Sequence, residues 1–139
     1  MKICITVIFW ASLVPLIVSC QKKDTLVSGA IDFNLSNEEI NKYKILASSG
    51  NTEAANRLFR YYNIVALNYP EAIKWLTVAA ENGDPLSQYN LGNLYSVPPL
   101  SDNKVAIFWL EKSKLNGFPD AAKVLKRIRE KEMNVHTNR

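Results

Sequence analysis

A tryptophan-centred hexapeptide occurs twice in the chain, 34 residues apart: Glu71-Ala72-Ile73-Lys74-Trp75-Leu76 and Val105-Ala106-Ile107-Phe108-Trp109-Leu110. The same offset places Asn82-Gly83 on Asn116-Gly117, Pro85 on Pro119 and Leu91 on Leu125. A fainter copy lies upstream at a shift of 33, where Gly50, Ala54, Leu58 and Tyr62 fall on Gly83, Ser87, Leu91 and Tyr95. A period of this length means one supersecondary unit stacked on copies of itself, because a single helical pair cannot bury both its faces.

The punctuation of each unit is that of two helices joined by a tight turn. Pro70 and Glu71 suit a first helical turn, where a missing N–H costs nothing and a carboxylate meets the positive end of the helix dipole. Gly83 suits the left-handed position just past a helix end, and Asp84-Pro85 caps and starts the next helix. Gly117-Phe118-Pro119 repeats the device without the aspartate, and Ser36-Asn37-Glu38-Glu39 reads as a capping box. These signals predict six helices, over 36–48, 52–62, 70–81, 85–95, 103–115 and 119–132. The predicted fold is all-α, a short right-handed α-solenoid of about six helices in three helix-turn-helix pairs. Three pairs are near the minimum for a stable stack.

In the third helix Ile73, Leu76 and Ala80 recur at helical spacing, with Ala72, Trp75 and Ala79 beside them. This is a broad apolar stripe with small residues where a neighbour comes close. Trp75 and Trp109, equivalent in two units, read as core wedges rather than as an aromatic ligand site.

Ahead of the repeats, Lys2 and the charge-free run from Ile3 to Val18 have the parts of an export leader, with small Ser19 before Cys20. The run is short for a membrane span and Gln21-Lys22-Lys23 follows at once. Cutting after Ser19 divides the chain into a leader (1–19), Cys20 with a tether (20–35), a repeat domain (36–132) and a polar tail (133–139). A tether of about 15 residues reaches roughly 50 Å when extended. Of two cysteines, Cys4 lies in the leader, so neither a disulfide nor a thiolate metal site is available to the repeat domain. His136, the one histidine, sits in the tail, which argues against histidine catalysis and a zinc site. No cofactor is expected. The net charge of +4 is a mild surplus, part of it in Lys123, Lys126, Arg127, Arg129 and Lys131. An exported chain has no nucleic acid to meet, so this cluster reads as a solvated face or a protein-binding patch.

The stretch Ile17-Val18-Ser19-Cys20 resembles the lipobox of bacterial lipoproteins; the alternative is an ordinary leader with a chance cysteine. The resemblance implies lipidation of Cys20, cleavage before it, and a chain held by its lipid in the bacterial cell envelope and facing the periplasm. Gln21, where aspartate would favour retention in the inner membrane, points to the outer membrane. Two or more acyl chains hold a protein stably, each buried methylene contributing about 0.8 kcal/mol.

Ala79-Ala80-Glu81-Asn82-Gly83-Asp84, followed by Ser87, Leu91-Gly92 and Tyr95, resembles the Sel-one-like repeat, a relative of the tetratricopeptide repeat. The resemblance covers about residues 47–128. It has three departures. Ser96-Val97-Pro98-Pro99-Leu100-Ser101 replaces the glycine-rich loop, Phe59 and Lys126 stand where Gly92 does, and Arg129 stands where tyrosine is expected. Such repeats imply a protein partner rather than a small-molecule substrate, met by the first helix of each family unit on a concave side. Positions off the apolar stripe on those helices are Asn56, Arg57, Arg60, Tyr61, Tyr89, Asn90, Asn93, Lys123 and Arg127. Arginine and tyrosine are common interface anchors; these positions serve equally as solvated surface. Small lipid-anchored proteins of this kind resemble immunity proteins encoded beside antibacterial phospholipase effectors of type VI secretion systems, which implies a stoichiometric blocker. A structural or regulatory adaptor of the envelope is the alternative. An enzyme is disfavoured, because Glu38, Glu39, Glu71, Glu81 and Glu111 mostly occupy helix starts and solvated faces and no phosphate-binding glycine loop is present.

Overall fold

Ser36 begins the folded domain with a reciprocal cap: its hydroxyl accepts from the Glu39 N–H at 3.2 Å, and the Glu39 carboxylate accepts from the Ser36 N–H at 2.8 Å. The computed structural model describes residues 33–137, with side chains through Asn134. The leader, Cys20 and the tether as far as residue 32 lie outside the described residues, as does the His136 side chain.

From that cap runs α1 (Asn37–Ser48), followed by α2 (Thr52–Arg60), α3 (Tyr69–Glu81), α4 (Pro85–Tyr95), α5 (Asn103–Leu115) and α6 (Asp120–Thr137). No strand occurs among the described residues. Side-chain oxygens cap four of these helices in the same way. Asn51 takes the Ala54 N–H at 2.8 Å, Asn68 that of Glu71 at 3.3 Å, Asp84 that of Ser87 at 2.8 Å, and Asp102 that of Val105 at 3.1 Å. Each satisfies an amide that a helix start otherwise leaves to water.

The helix ends repeat too. Gly50, Gly83 and Gly117 have φ of 92°, 92° and 90°, and at each the residue beyond donates its N–H back across the turn. Asn51 reaches the Leu46 carbonyl, Asp84 that of Ala79 and Phe118 that of Ser113, at 3.0–3.1 Å. This is the Schellman closure, which uses carbonyls left unpaired at a helix end and requires a left-handed residue. It joins α1 to α2, α3 to α4 and α5 to α6, which makes the three pairs.

Two boundaries differ from the sequence expectation. After Arg60 the chain does not stop near Tyr62 but widens into a π-helical turn, Tyr61–Val65, closed by the Ala66 N–H on the Tyr61 carbonyl at 3.0 Å. Leu67 follows with φ of 50°, a left-handed conformation rarely taken by leucine. At the far end α6 continues past residue 132 to Thr137, so most of the segment read as a polar tail is helical. The stretch Arg129-Glu130-Lys131-Glu132-Met133 holds strong helix formers with no glycine or proline to stop it, and Lys126 pairs with Glu130 one turn on.

Each helix packs on the next, α1 also reaches α3, and α4 reaches α6. The apolar core follows this neighbour rule as three clusters. The first joins Ile40 and Ala47 of α1, Ala54, Ala55 and Leu58 of α2, and Trp75 and Ala79 of α3. One repeat on, Leu76, Ala80 and Leu91 close around Trp109. The third seals α5 to α6 through Ala106, Leu110, Ala121, Val124, Leu125 and Ile128. Trp75 and Trp109 are 5% and 8% exposed, so both are core wedges at equivalent places. The Trp75 indole N–H donates to Glu71 at 3.1 Å, which meets the one polar demand of that ring.

Candidate partner-binding surface

The approach of α2 to α3 and of α4 to α5 turns on equivalent positions in two units. In α4 it is Gly92: a Cβ there would lie 2.6 Å from Leu110 Cγ and 3.1 Å from the Ala106 carbonyl, so α4 and α5 meet backbone to side chain. In α2 the same position is Phe59, set beside Ala72 and Leu76, the equivalents of Ala106 and Leu110 one repeat earlier. Its ring packs against both the first and second core clusters and is only half-buried. Phe59 thus takes the space that a glycine would leave for close approach, and its exposed side becomes the wall of a groove.

That groove is about 820 Å³. From α3 come Tyr69, Pro70, Ala72, Ile73 and Leu76; from α4, Asn90 and Leu94. The π-helical turn adds Asn63, and the α4–α5 loop adds Pro99 and Leu100. Tyr69 and Leu100 stand open at the rim, 58% and 37% exposed, with Leu67 and Ile64 exposed in the connection that leads to Tyr69. Apolar walls with a few amide groups are what a concave binding site needs: area to bury, and polar atoms to orient what is buried. Among the described residues no cluster of three or more metal-ligating side chains occurs.

The nine positions proposed from sequence divide sharply. Asn90 lines the groove and Arg127 a smaller cleft near α6. Asn56 is occupied within the fold: it accepts from the Ser87 hydroxyl at 2.8 Å and donates to Asp84 at 3.3 Å, tying α2 to α4 and its cap. Tyr89 stacks on Phe118 with ring centres 4.7 Å apart. Tyr61 meets Tyr62 edge-on at 5.2 Å, and the Arg57 guanidinium lies 5.8 Å from the Tyr43 ring. Arg60 is half-buried, as is Asn93, whose carbonyl accepts from the Ser96 hydroxyl at 2.8 Å. Lys123 is fully exposed and held by Asp120 at 2.8 Å; that hydrogen bond and the attraction of the carboxylate raise its pKa.

Sequence reasoning missed Phe59, Tyr69, Ile73, Leu94 and Leu100. Two signals for them were in plain view, since Phe59 in place of glycine and the proline-containing loop in place of glycines are the departures that build the groove.

No family model matches the chain. It is 29% identical over 151 residues to the uncharacterized protein YibG of Escherichia coli K12, spanning all of this chain and 98% of that one. Its fold is similar to the crystal structure of a Sel1 repeat protein from Oxalobacter formigenes, with a TM-score of 0.57 and 34% identity over 68% of this chain and 75% of that chain. The 34-residue period, the Schellman turns and the equivalent buried tryptophans accord with that likeness, and the chain belongs to the Sel1 repeat proteins.

Proposed function

We propose that the protein is a lipid-anchored module of the bacterial envelope that binds a protein partner through the groove between α2, α3 and α4, and that the partner is a secreted antibacterial effector, such as a phospholipase, which it neutralises. The observation that carries the reading is the groove itself: about 820 Å³, walled by Phe59, Ile73, Leu76 and Leu94 and rimmed by exposed Tyr69 and Leu100. Sel1 repeats are protein-interaction modules, and an apolar recess of this size loses water when a partner side chain enters it, at about 25 cal/mol per Å² covered. Export and anchoring rest on the leader and on Cys20, which would carry the acyl chains and set the domain on a tether facing the periplasm.

The test is capture by the full chain in detergent from envelope and secreted fractions, followed by an activity titration. A toxic enzyme whose activity falls to nothing at one-to-one ratio supports the blocker. Recovery of resident envelope machinery without a toxin favours an adaptor and sinks the immunity reading. Acyl labelling that disappears in Cys20→Ala tests the anchor separately.

A further inference from the structure

Four cations on and around α6 are already matched: Lys123 by Asp120 at 2.8 Å, Lys126 by Glu130 at 3.8 Å, and Arg129 and Lys114 by Glu111 at 2.6 and 3.9 Å. Arg127 and Lys131, one helical turn apart, have no ion pair or hydrogen bond among the described residues. Both line one cleft of about 160 Å³, which they share with Ser96, Val97, Asn103 and Ile128. Two unmatched charges of one sign beside a recess attract a group of the opposite sign; the Ser96 hydroxyl already gives its proton to the Asn93 carbonyl, so Arg127 and Lys131 are the donors offered there.

The cleft is joined to the groove by a common wall. Ser96 and Val97 face the cleft, whereas Pro99 and Leu100, three residues further along the same loop, face the groove. A segment crossing that loop meets apolar walls on one side and two cations on the other. A flat anionic membrane would meet the whole of α6, where most cations are neutralised by their own acids; a side chain entering the recess meets the two that are not.

We propose that the partner presents an extended segment in which an apolar residue fills the groove and a nearby aspartate or glutamate is bound by Arg127 and Lys131. This rests on the reading of the groove as a protein-binding site and adds the chemistry of what enters it.

The experiment is selection of displayed random dodecapeptides on the full chain in detergent, in parallel with Arg127→Gln/Lys131→Gln and with Ile73→Glu. Both cations are exposed, and circular dichroism checks that all variants fold. The expected result is native-chain selection of peptides with Asp or Glu beside apolar residues. The best of these loses about tenfold or more in affinity on the double variant, as for removal of charge-assisted hydrogen bonds, and loses binding on Ile73→Glu. Neutral apolar peptides that bind native and double variant alike overturn the acidic segment and leave the groove standing. Acidic peptides indifferent to the double variant overturn it as well. Selection of no peptide at all removes groove and cleft together. Loss of binding to vesicles containing 30% anionic lipid, with peptide affinity unchanged, transfers the two cations to a membrane surface and overturns the proposal.

Discussion

The Ser87 hydroxyl donates to Asn56 Oδ1 at 2.8 Å, across 31 positions of sequence and between two repeats. Ser87 is 1% exposed and Asn56 half-buried, so the hydroxyl has little access to water as a substitute partner. At the equivalent positions the neighbouring units carry Ala54 and Ala121, which need no partner.

Asn56→Ala therefore destabilises the free protein. It strands the Ser87 hydroxyl and removes a donor from Asp84, which costs about 1–3 kcal/mol. A denaturation midpoint measured without partner registers the loss. Ser87→Ala in the Asn56→Ala background recovers part of it, since the stranded group is then gone; an additive further loss would contradict the bond.

Gly92→Ala sets two effects against each other. Alanine is the better helix former by about 1 kcal/mol, but its Cβ lies 2.6 Å from Leu110 Cγ, and overpacking of that kind costs about 1–3 kcal/mol. The clash wins, because Leu110 is fully buried and has nowhere to move. The thermal unfolding temperature should fall for Gly92→Ala, and the double variant with Leu110→Ala, which removes the Cγ, should lose less than the two single changes added together.

Leu67→Gly acts the other way. Leu67 holds φ of 50° while its side chain is 62% exposed, so the change relieves backbone strain of about 1 kcal/mol and gives up little packing. A melting temperature raised or unchanged is expected, and a fall of several degrees would show that the leucine side chain matters more than its backbone.

Tyr69→Ala and Leu100→Ser address the groove without touching the core, since both side chains stand at its rim. Each should weaken partner capture by about 1 kcal/mol or more, in line with loss of an apolar interface anchor, while the unfolding midpoint stays within about 0.5 kcal/mol of the parent. Equal binding by both variants would move the interface elsewhere on the array.

Much of the fold was legible because its signals are local. Ser36 with Glu39, Asp84 with Pro85, and the glycines at 50, 83 and 117 act within five residues of themselves, and Trp75 and Trp109 declare their burial by recurring. The surface was harder to read. A polar residue on a helix face looks the same in sequence whether it meets water or another helix, and Asn56, a candidate equally for a partner or for solvent, hydrogen-bonds Ser87 and Asp84. The hint was the serine standing where both neighbouring units have alanine. The groove was hidden for a related reason: beside the recurring Ala72, Ile73 and Leu76 it depends on what differs between units, and a search for sameness passes over Phe59 and the loop at Pro99.

Three Schellman turns of nearly identical geometry, each followed by a helix that touches little beyond its neighbours, make the helical segments between successive turns exchangeable parts. Unequal recombination at these turns can add or delete one period and rejoin the chain in register, because all three offer the same stereochemistry to whatever follows. The length of such an array and the identity of its partner can then change independently in evolution: the first by copying a unit whole, the second by replacing a single glycine or rewriting a single loop in one of them.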